Sequence, residues 1–134
     1  MTVTGHRPGA PRHRGERPDR GQAAIEFAGW IAVLLTAALA AVQLGIVAYA
    51  AQQAGTAARA AARVASQGGN GEAAGRGAMS GWLAGGAAVS APAGAEDVTA
   101  TVTVRVPTVL PLLSFDPVTR TATMPVTTSE GGTP

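Results

Sequence analysis

Apolar residues are concentrated in one uninterrupted run near the amino terminus. Residues 27–51 read FAGWIAVLLTAALAAVQLGIVAYAA and contain no charged side chain and a single amide, Gln43. A hydrocarbon layer about 30 Å thick is crossed by about 20 helical residues, so this run is long enough to span a membrane with some tilt. In such a span Gln43 has two ready partners, a neighbouring helix or its own backbone.

The predicted helix continues beyond the membrane surface. No proline occurs between Pro18 and Pro92, and the residues after the span are dominated by alanine, the most favourable helix former. The glycine cluster that begins at Gly68 is the first convincing stop. We therefore predict one helix over residues 22–67, of which about 27–51 cross the membrane.

Residues 68–97 are rich in glycine and alanine, which predicts a linker with room for one short helix around residues 72–83. The large apolar residues of this helix are Trp82 and Leu83. We expect them to dock on the long helix, because large apolar side chains are usually buried, rather than to contact a partner or a membrane surface. The glycine pairs at 71/75 and 81/85 lie in polar surroundings and predict no packing.

Residues 98–126 form the predicted β region. Valines alternate with threonine and arginine in residues 98–106, which predicts a strand with one buried face that ends at Pro107. A second strand covers residues 118–126, and the loop between the strands, at residues 109–115, has an apolar side. A lone hairpin is marginal in water, so this one should pack on the long helix or on another subunit.

Together these segments predict an α+β protein. It has one long N-terminal transmembrane helix that extends beyond the membrane, a Gly/Ala-rich segment and a small C-terminal β hairpin. Residues 1–21 predict a disordered basic leader, and residues 127–134 predict a disordered tail. Few large apolar residues follow the span, which excludes a large independent hydrophobic core.

The positive charge lies almost wholly in the leader. Residues 1–21 contain five arginines against two acidic residues, whereas the rest of the chain contains five arginines and six acidic residues. Because arginines favour the cytoplasmic side, we expect a single-pass protein of the cell membrane with its amino terminus in the cytoplasm and its carboxyl part outside. The body has no basic face with aromatic partners, so nucleic acid is not an expected partner.

The composition also excludes several chemistries. The chain has no cysteine and no lysine, which removes disulfides, zinc-thiolate sites and Schiff bases. Both histidines, His6 and His13, precede the span, so loss of the leader would leave no imidazole for catalysis or metal binding. We therefore expect no enzyme activity, no catalytic or metal-binding residue and no cofactor.

The informative motif lies where the leader meets the span. Gly21 ends the basic segment, and Glu26 stands five residues later at the edge of the apolar run. In this respect the chain resembles type IV pilin and pseudopilin precursors, whose leader is cut after a glycine and whose mature fifth residue is a glutamate. The resemblance implies that a prepilin peptidase cuts between Gly21 and Gln22.

A closer resemblance is to the TadE family, small minor pilins or pseudopilins of the tight-adherence (Flp-type) pilus system, in its actinobacterial form. It rests on the pairs Arg20-Gly21 and Glu26-Phe27, on the long helix, and on the segment AARAAAR at residues 57–63. It implies a non-catalytic subunit or assembly factor at the cell surface, in a homo- or hetero-oligomer with other pilin or Tad assembly proteins. The chain departs from the family at Ala32, where members often have proline, and at residues 60–61, where they often have Glu-Gly.

Glu26 and Phe27 are the residues that the resemblance assigns to assembly. A carboxylate carried into an apolar helix bundle needs a counter-charge. The new amine on the Gln22 of a neighbouring subunit would supply it, and Glu26 would then set the axial register between subunits. The plainer interpretation is a first-turn acid that favours the helix dipole and reaches towards the interface.

Two further sets of residues are candidates for helix packing and subunit contact. Ala37, Ala41 and Gly45 recur at every fourth position, and small residues at this spacing let membrane helices approach closely. An alanine-rich chain also produces such spacing by chance. Arg59 and Arg63 lie one turn apart, and they serve either as solvated charges or as a contact between subunits.

Two other functions fit the sequence less well. The chain could be an unprocessed single-pass membrane protein with a small external interaction module. It could also be a small secreted protein, with Ala48-Tyr49-Ala50 imitating a signal-peptide cleavage site. The apolar run is long for a signal peptide, and it continues into a helical pattern.

Overall fold

The computed structural model describes residues 1–5, 9, 19–110 and 113–127. Residues 6–8 and 10–18 of the predicted leader, 1–21, lie outside the described residues, and so does the predicted tail, 127–134, apart from Thr127. The chain divides into two compact units, Met1–Thr36 and Ala37–Pro134.

One long helix, α1, covers Asp19–Ser66. It begins three residues before the predicted start and ends one residue before the predicted end. The part of α1 in the first unit is apolar. The hydroxyl of Thr36, which lies in this part, donates a hydrogen bond of 2.8 Å from its Oγ1 to the carbonyl oxygen of Ala32. Such a bond removes the cost of placing a threonine in an apolar solvent.

Glycine ends α1 through a specific backbone geometry. Gly68 has φ of 79°, in the left-handed region that favours glycine. The N–H of Gly69 donates to the carbonyl of Val64 at 2.9 Å, and the N–H of Gly68 donates to that of Ala65 at 3.0 Å. These two bonds form a Schellman motif, which satisfies the last carbonyls of the helix.

Two short helices follow, α2 at Gly71–Gly77 and α3 at Gly81–Ala84. The side chain of Asn70 caps α2 by accepting a hydrogen bond of 3.0 Å from the N–H of Ala73. The sequence predicts one helix in this stretch, and the structure has two. Glycine and serine between Gly77 and Gly81 are poor at continuing a helix, which accounts for the break.

The second unit also contains a three-stranded antiparallel sheet in the order β1-β2-β3. Its strands are β1 at Ala87–Ser90, β2 at Asp97–Val104 and β3 at Val118–Pro125. The predicted α+β class is confirmed, and β2 and β3 are the expected hairpin. Strand β1 was not predicted, because its sequence, AAVS, is too short and too rich in alanine to show a β pattern.

The core is built from small side chains. Val98, Ala100, Val102 and Val104 alternate along β2 and are buried, while the threonines between them lie on the other face. Ala100, Val102 and Val104 share one hydrophobic cluster with Leu83, Met79 and six alanines of α1. Those alanines are Ala50, Ala54, Ala57, Ala58, Ala61 and Ala62, and with Ala65 they form a buried stripe of α1.

Glycines bring α2 close to α1 and β1. A Cβ atom placed on Gly71 would lie 2.6 Å from the carbonyl oxygen of Ala61, and one on Gly75 would lie 2.9 Å from Val89 Cγ1. Both residues are buried. The prediction that the Gly71/Gly75 pair has no packing role is therefore wrong: the pair allows two backbones to approach with no side chain between them. At Gly81 an added Cβ would meet nothing within 4 Å.

Candidate assembly and membrane surface

The amino-terminal part of α1 presents large apolar side chains to its surroundings. Every residue from 21 to 42 is exposed, including Phe27 and Trp30, which are 67% and 62% exposed. Only 6% of the most apolar window of α1 is buried. A core helix of a soluble protein would be covered, so this segment has the character of a membrane span, and α1 is the one helix among the described residues that is long and apolar enough.

The four residues of the leader motif lie at the start of this exposed segment. Gly21, Gln22, Glu26 and Phe27 are all in α1, and all are exposed. A Cβ atom on Gly21 would meet nothing within 4 Å. The peptide bond after Gly21 is therefore uncovered by the rest of the described chain.

Glu26 borders a shallow depression on one side of the helix. Its other lining residues are Gly29, Trp30 and Val33. These positions follow the three- and four-residue spacing of a single helix face. Gly29 leaves a gap beside the carboxylate and the indole, so a neighbouring helix could approach Glu26 closely at this point.

The predicted packing residues remain free in the second unit. Ala37, Ala41 and Gly45 are exposed. Ala41 and Gly45 each lie two positions from the buried Gln43, which is about 200° around a helix. They therefore lie on the side of α1 opposite to the one that the sheet covers.

Arg59 and Arg63 lie on this same far side of α1. They are 16 and 20 positions after Gln43, which is about 160° and 200° around the helix. Both are exposed, and the guanidinium of Arg59 folds back over Gly55, at 3.8 Å from the position of an added Cβ. Both arginines also line a hollow with Ala60, Val64 and Met124 of β3, so they border one edge of the sheet as well as the far side of the helix.

Gln43 holds the loop between β2 and β3, a role that its place in the sequence does not predict. Its side chain is buried, at 1% exposed. Its Nε2 donates a hydrogen bond of 3.2 Å to the carbonyl of Pro107, and its Oε1 accepts one of 2.8 Å from the N–H of Val109. Neither expected partner, a second helix or its own backbone, is used. A lone amide in an apolar run, together with an apolar loop elsewhere in the chain, is the signal that points to such a contact.

The aromatic pair Tyr49 and Trp82 lies farther along α1. The rings are stacked, with centroids 5.9 Å apart and planes 8° apart, and Tyr49 also shares a hydrogen bond with Ser80. Leu83 is buried as expected, but Trp82 is 57% exposed. The expected docking is thus correct for Leu83, whereas Trp82 covers Tyr49 and leaves its remaining surface open.

The described residues contain no group of three or more acidic or histidine side chains placed to hold a metal ion. Each buried side-chain nitrogen or oxygen in the described part has a hydrogen-bond partner. The exposed surface of α1 consists mainly of apolar and small residues, which suits contacts with lipid and with other helices.

Comparison with known proteins agrees with this character. Residues 21–63 match the family model for TadE-like protein. The matched segment begins at Gly21 and ends at Arg63, so it contains all the candidate residues of α1 and none of the sheet. No curated protein and no solved structure matches the chain.

TadE-like proteins of pili are structural rather than catalytic, and they are associated with the membrane and with other pilus components. An apolar amino-terminal helix fits a single-pass membrane protein of such a system. Residues 21–63 of this chain are thus similar to TadE-like proteins of the tight-adherence pilus system, and together with the exposed apolar helix this similarity supports a pilus-associated, minor-pilin-like role.

Proposed function

We propose that the chain is made as a precursor, is cut between Gly21 and Gln22 by a prepilin peptidase, and then acts as a minor pilin subunit or assembly factor. The observation that carries this proposal is the position of Gly21 and Glu26 at the start of the exposed apolar segment of α1, residues 21–42, inside the TadE-like region. The amino terminus would lie in the cytoplasm and the sheet outside.

Cleavage after Gly21 is sterically and energetically accessible. The bond lies in the first turn of α1, two residues after its first residue, Asp19. A protease must open the helix there, and the first turn of a helix has few bonds to lose. Glycine lowers helix stability further, by about 1 kcal/mol relative to alanine. Removal of the leader would take away five arginines and leave a new amine on Gln22.

Glu26 would then serve as the register residue. In the isolated chain its carboxylate is exposed. Between apolar helices of a fibre it would be shielded from water, where an unpaired charge is costly. The amine on Gln22 of a neighbouring subunit would be a counter-charge at the amino-terminal end of the helix, where Glu26 also lies. The gap at Gly29 gives room for that approach.

The far side of α1 would supply the remaining contacts. Ala37, Ala41 and Gly45 allow close helix approach, while Arg59 and Arg63 offer charge to a neighbouring subunit above the membrane. The described part of the chain leaves these residues exposed, so they can meet a homo- or hetero-oligomeric partner.

The test is the mass and amino-terminal sequence of the protein isolated from membranes of cells that contain its pilus system. The expected start is Gln22. A Gly21→Ala variant should keep the leader, whereas Gly29→Ala should be cut normally. Gly29 is the matched control, because an added Cβ meets nothing within 4 Å at either glycine. A Glu26→Ala variant should be cut but should fail to enter the pilus fraction.

Other starts would contradict the proposal. An intact Met1 or Thr2 start would leave an unprocessed membrane protein with a small external module. A start near Ala51 would indicate a secreted protein. The packing argues against that outcome, because it would remove the buried Gln43 and Ala50, and also Tyr49, from beneath the sheet and α3.

A further inference from the structure

The loop between β2 and β3 carries large apolar side chains on its outer side. Val109, Leu113 and Phe115 are 42%, 51% and 36% exposed. Residues 111–112 lie outside the described part of the chain. The exposed residues are close in sequence and surround a single contact with α1, so they form one local apolar surface, which we call the apolar loop surface.

Gln43 holds this loop against the apolar run of α1. Its two hydrogen bonds reach the loop backbone at Pro107 and Val109. Beside it, Leu110, Leu113 and Phe115 line a hollow with Ala40 and Leu44 of the helix. The loop therefore lies alongside the last part of the apolar run, within the second unit.

The position of Gln43 places this contact at membrane depth. A span of about 20 residues that starts at Phe27, the first residue after Glu26, ends at Ile46. Gln43 precedes that end by three positions. Tyr49 lies three positions after Ile46, and Trp82 stacks on it. Tyrosine and tryptophan are the residues enriched at membrane interfaces. The apolar loop surface thus lies on the membrane side of an aromatic pair.

Part of the loop backbone is hydrogen-bonded within the chain. Irregular backbone in contact with lipid does not occur in the hydrocarbon region, so the loop can bring side chains to the leaflet only where its backbone stays against α1. Gln43 satisfies the carbonyl of Pro107 and the N–H of Val109, and the N–H of Leu113 donates to the carbonyl of Leu110 at 3.1 Å. Pro107 has no N–H to satisfy.

The charges beside the loop do not favour an anionic surface. Arg105 precedes the loop and Asp116 ends it, and both are exposed. Their opposite charges cancel, so attraction to lipid at this place must come from the apolar side chains.

We propose that the apolar loop surface inserts into the lipid leaflet next to the sheet, with Val109, Leu113 and Phe115 among the acyl chains and the Tyr49–Trp82 pair at the level of the headgroups. The occupant of this surface is lipid, because the loop lies beside Ala40 and Leu44 of the apolar run, and this run is long enough to span a membrane. The inference rests on α1 spanning a membrane and not on leader cleavage or pilus assembly.

Single-cysteine labelling tests this insertion directly, because the chain has no cysteine of its own. Full-length Leu113→Cys and Phe115→Cys variants would carry a small fluorescent label, in phosphatidylcholine nanodiscs that hold one chain each. Leu35→Cys, in the span, is the lipid control. Thr123→Cys, exposed on β3, is the water control. The expected result is several-fold slower reduction of the Leu113 and Phe115 labels by dithionite than of the Thr123 label, together with quenching by spin-labelled lipid.

Three outcomes would overturn the insertion. The loop labels could react as fast as the Thr123 label while the Leu35 label stays protected, which would leave the span intact and the loop in water. Protection could require anionic lipid, which would make the contact electrostatic. It could also appear only in vesicles crowded with protein, which would mean that a second chain covers the surface. Using two loop positions guards against a variant that merely disturbs the loop.

Discussion

The two parts of α1 use apolar residues in opposite ways. In residues 21–42 the large side chains are exposed, and nothing in the described chain covers them. In residues 50–66 the buried positions are alanines apart from Ser66, and several of these alanines are 0% exposed. The less hydrophobic part is therefore the buried part, because alanine lets a sheet and α2 approach the helix backbone, whereas the large side chains remain available for lipid or for other helices.

Gln43 marks the change between these two parts. It is the first buried residue of α1 after the exposed segment, and it ties the helix to the loop at one end of the sheet. At the other end, the N–H of Thr127 donates to the carbonyl of Ser66 at 3.3 Å. Burial on α1 thus extends between two hydrogen-bonded ends of the same sheet.

The largest effect on the contrast between the exposed and buried parts of α1 is expected from a large residue in the alanine stripe. Ala61→Leu should lower the free energy of unfolding of the second unit by about 3 kcal/mol, because the added carbons meet Gly71 and Gly75 of α2. Denaturation in mild detergent, followed by the near-ultraviolet circular dichroism of the Tyr49–Trp82 stack, measures it. The matched control is Ala48→Leu, on the exposed side, which should change little. Equal effects at both positions would show that the stripe is not closely packed.

A smaller effect is expected when the close approach of α2 is disturbed. Gly75→Ala should cost about 2 kcal/mol relative to Gly77→Ala, because overpacking of a tight contact destabilises. The added Cβ would lie 2.9 Å from Val89 Cγ1 at Gly75 and would meet nothing within 4 Å at Gly77. Both variants gain the same helix propensity, so their difference isolates the contact. The same denaturation experiment would reject the prediction if the two variants unfolded together.

Gln43 lies where the exposed and buried parts of α1 meet, and removal of its two hydrogen bonds to the loop tests that boundary. Gln43→Ala should cost about 1 kcal/mol, because the N–H of Val109 and the carbonyl of Pro107 lose their partners. It should also speed hydrogen exchange at Val109 far more than at β2. Gln52→Ala, at an exposed position of the same helix, is the control. Unchanged exchange at Val109 would contradict the assigned role.

The smallest effect on folding is expected in the exposed part. Leu35→Ala should change the unfolding free energy of the second unit by less than about 0.5 kcal/mol, because Leu35 is exposed and lies outside the packed part of the described chain. It should instead lower insertion into membranes, since leucine favours the bilayer more than alanine does. Flotation with vesicles, measured beside the denaturation curve, separates these effects. A large loss of folding stability would show that the span packs on the rest of the protein.

Much of the fold was readable from local pattern. The length of the apolar run and the absence of proline predict α1, and the glycine cluster at residues 68–71 predicts its end. The alternating valines predict β2, and a similar pattern predicts β3. These features depend on residues close in sequence, so a linear pattern carries them. The motif at Gly21 and Glu26 is equally local, and the family match begins at the same glycine.

Only the tertiary structure decided which apolar and small residues are covered. Ala41 and Ala61 are indistinguishable as residue types, yet one is exposed and the other is 0% exposed. Tertiary structure also decided which loop Gln43 binds, because Val109 lies more than sixty residues away in sequence. It likewise decided β1, whose four residues form a strand because β2 is beside them. By itself, the sequence determined a helix long and apolar enough to span a membrane, followed by a small β region. Burial was decided by contacts between distant segments, because the free energy of packing belongs to pairs of surfaces and not to residues taken alone.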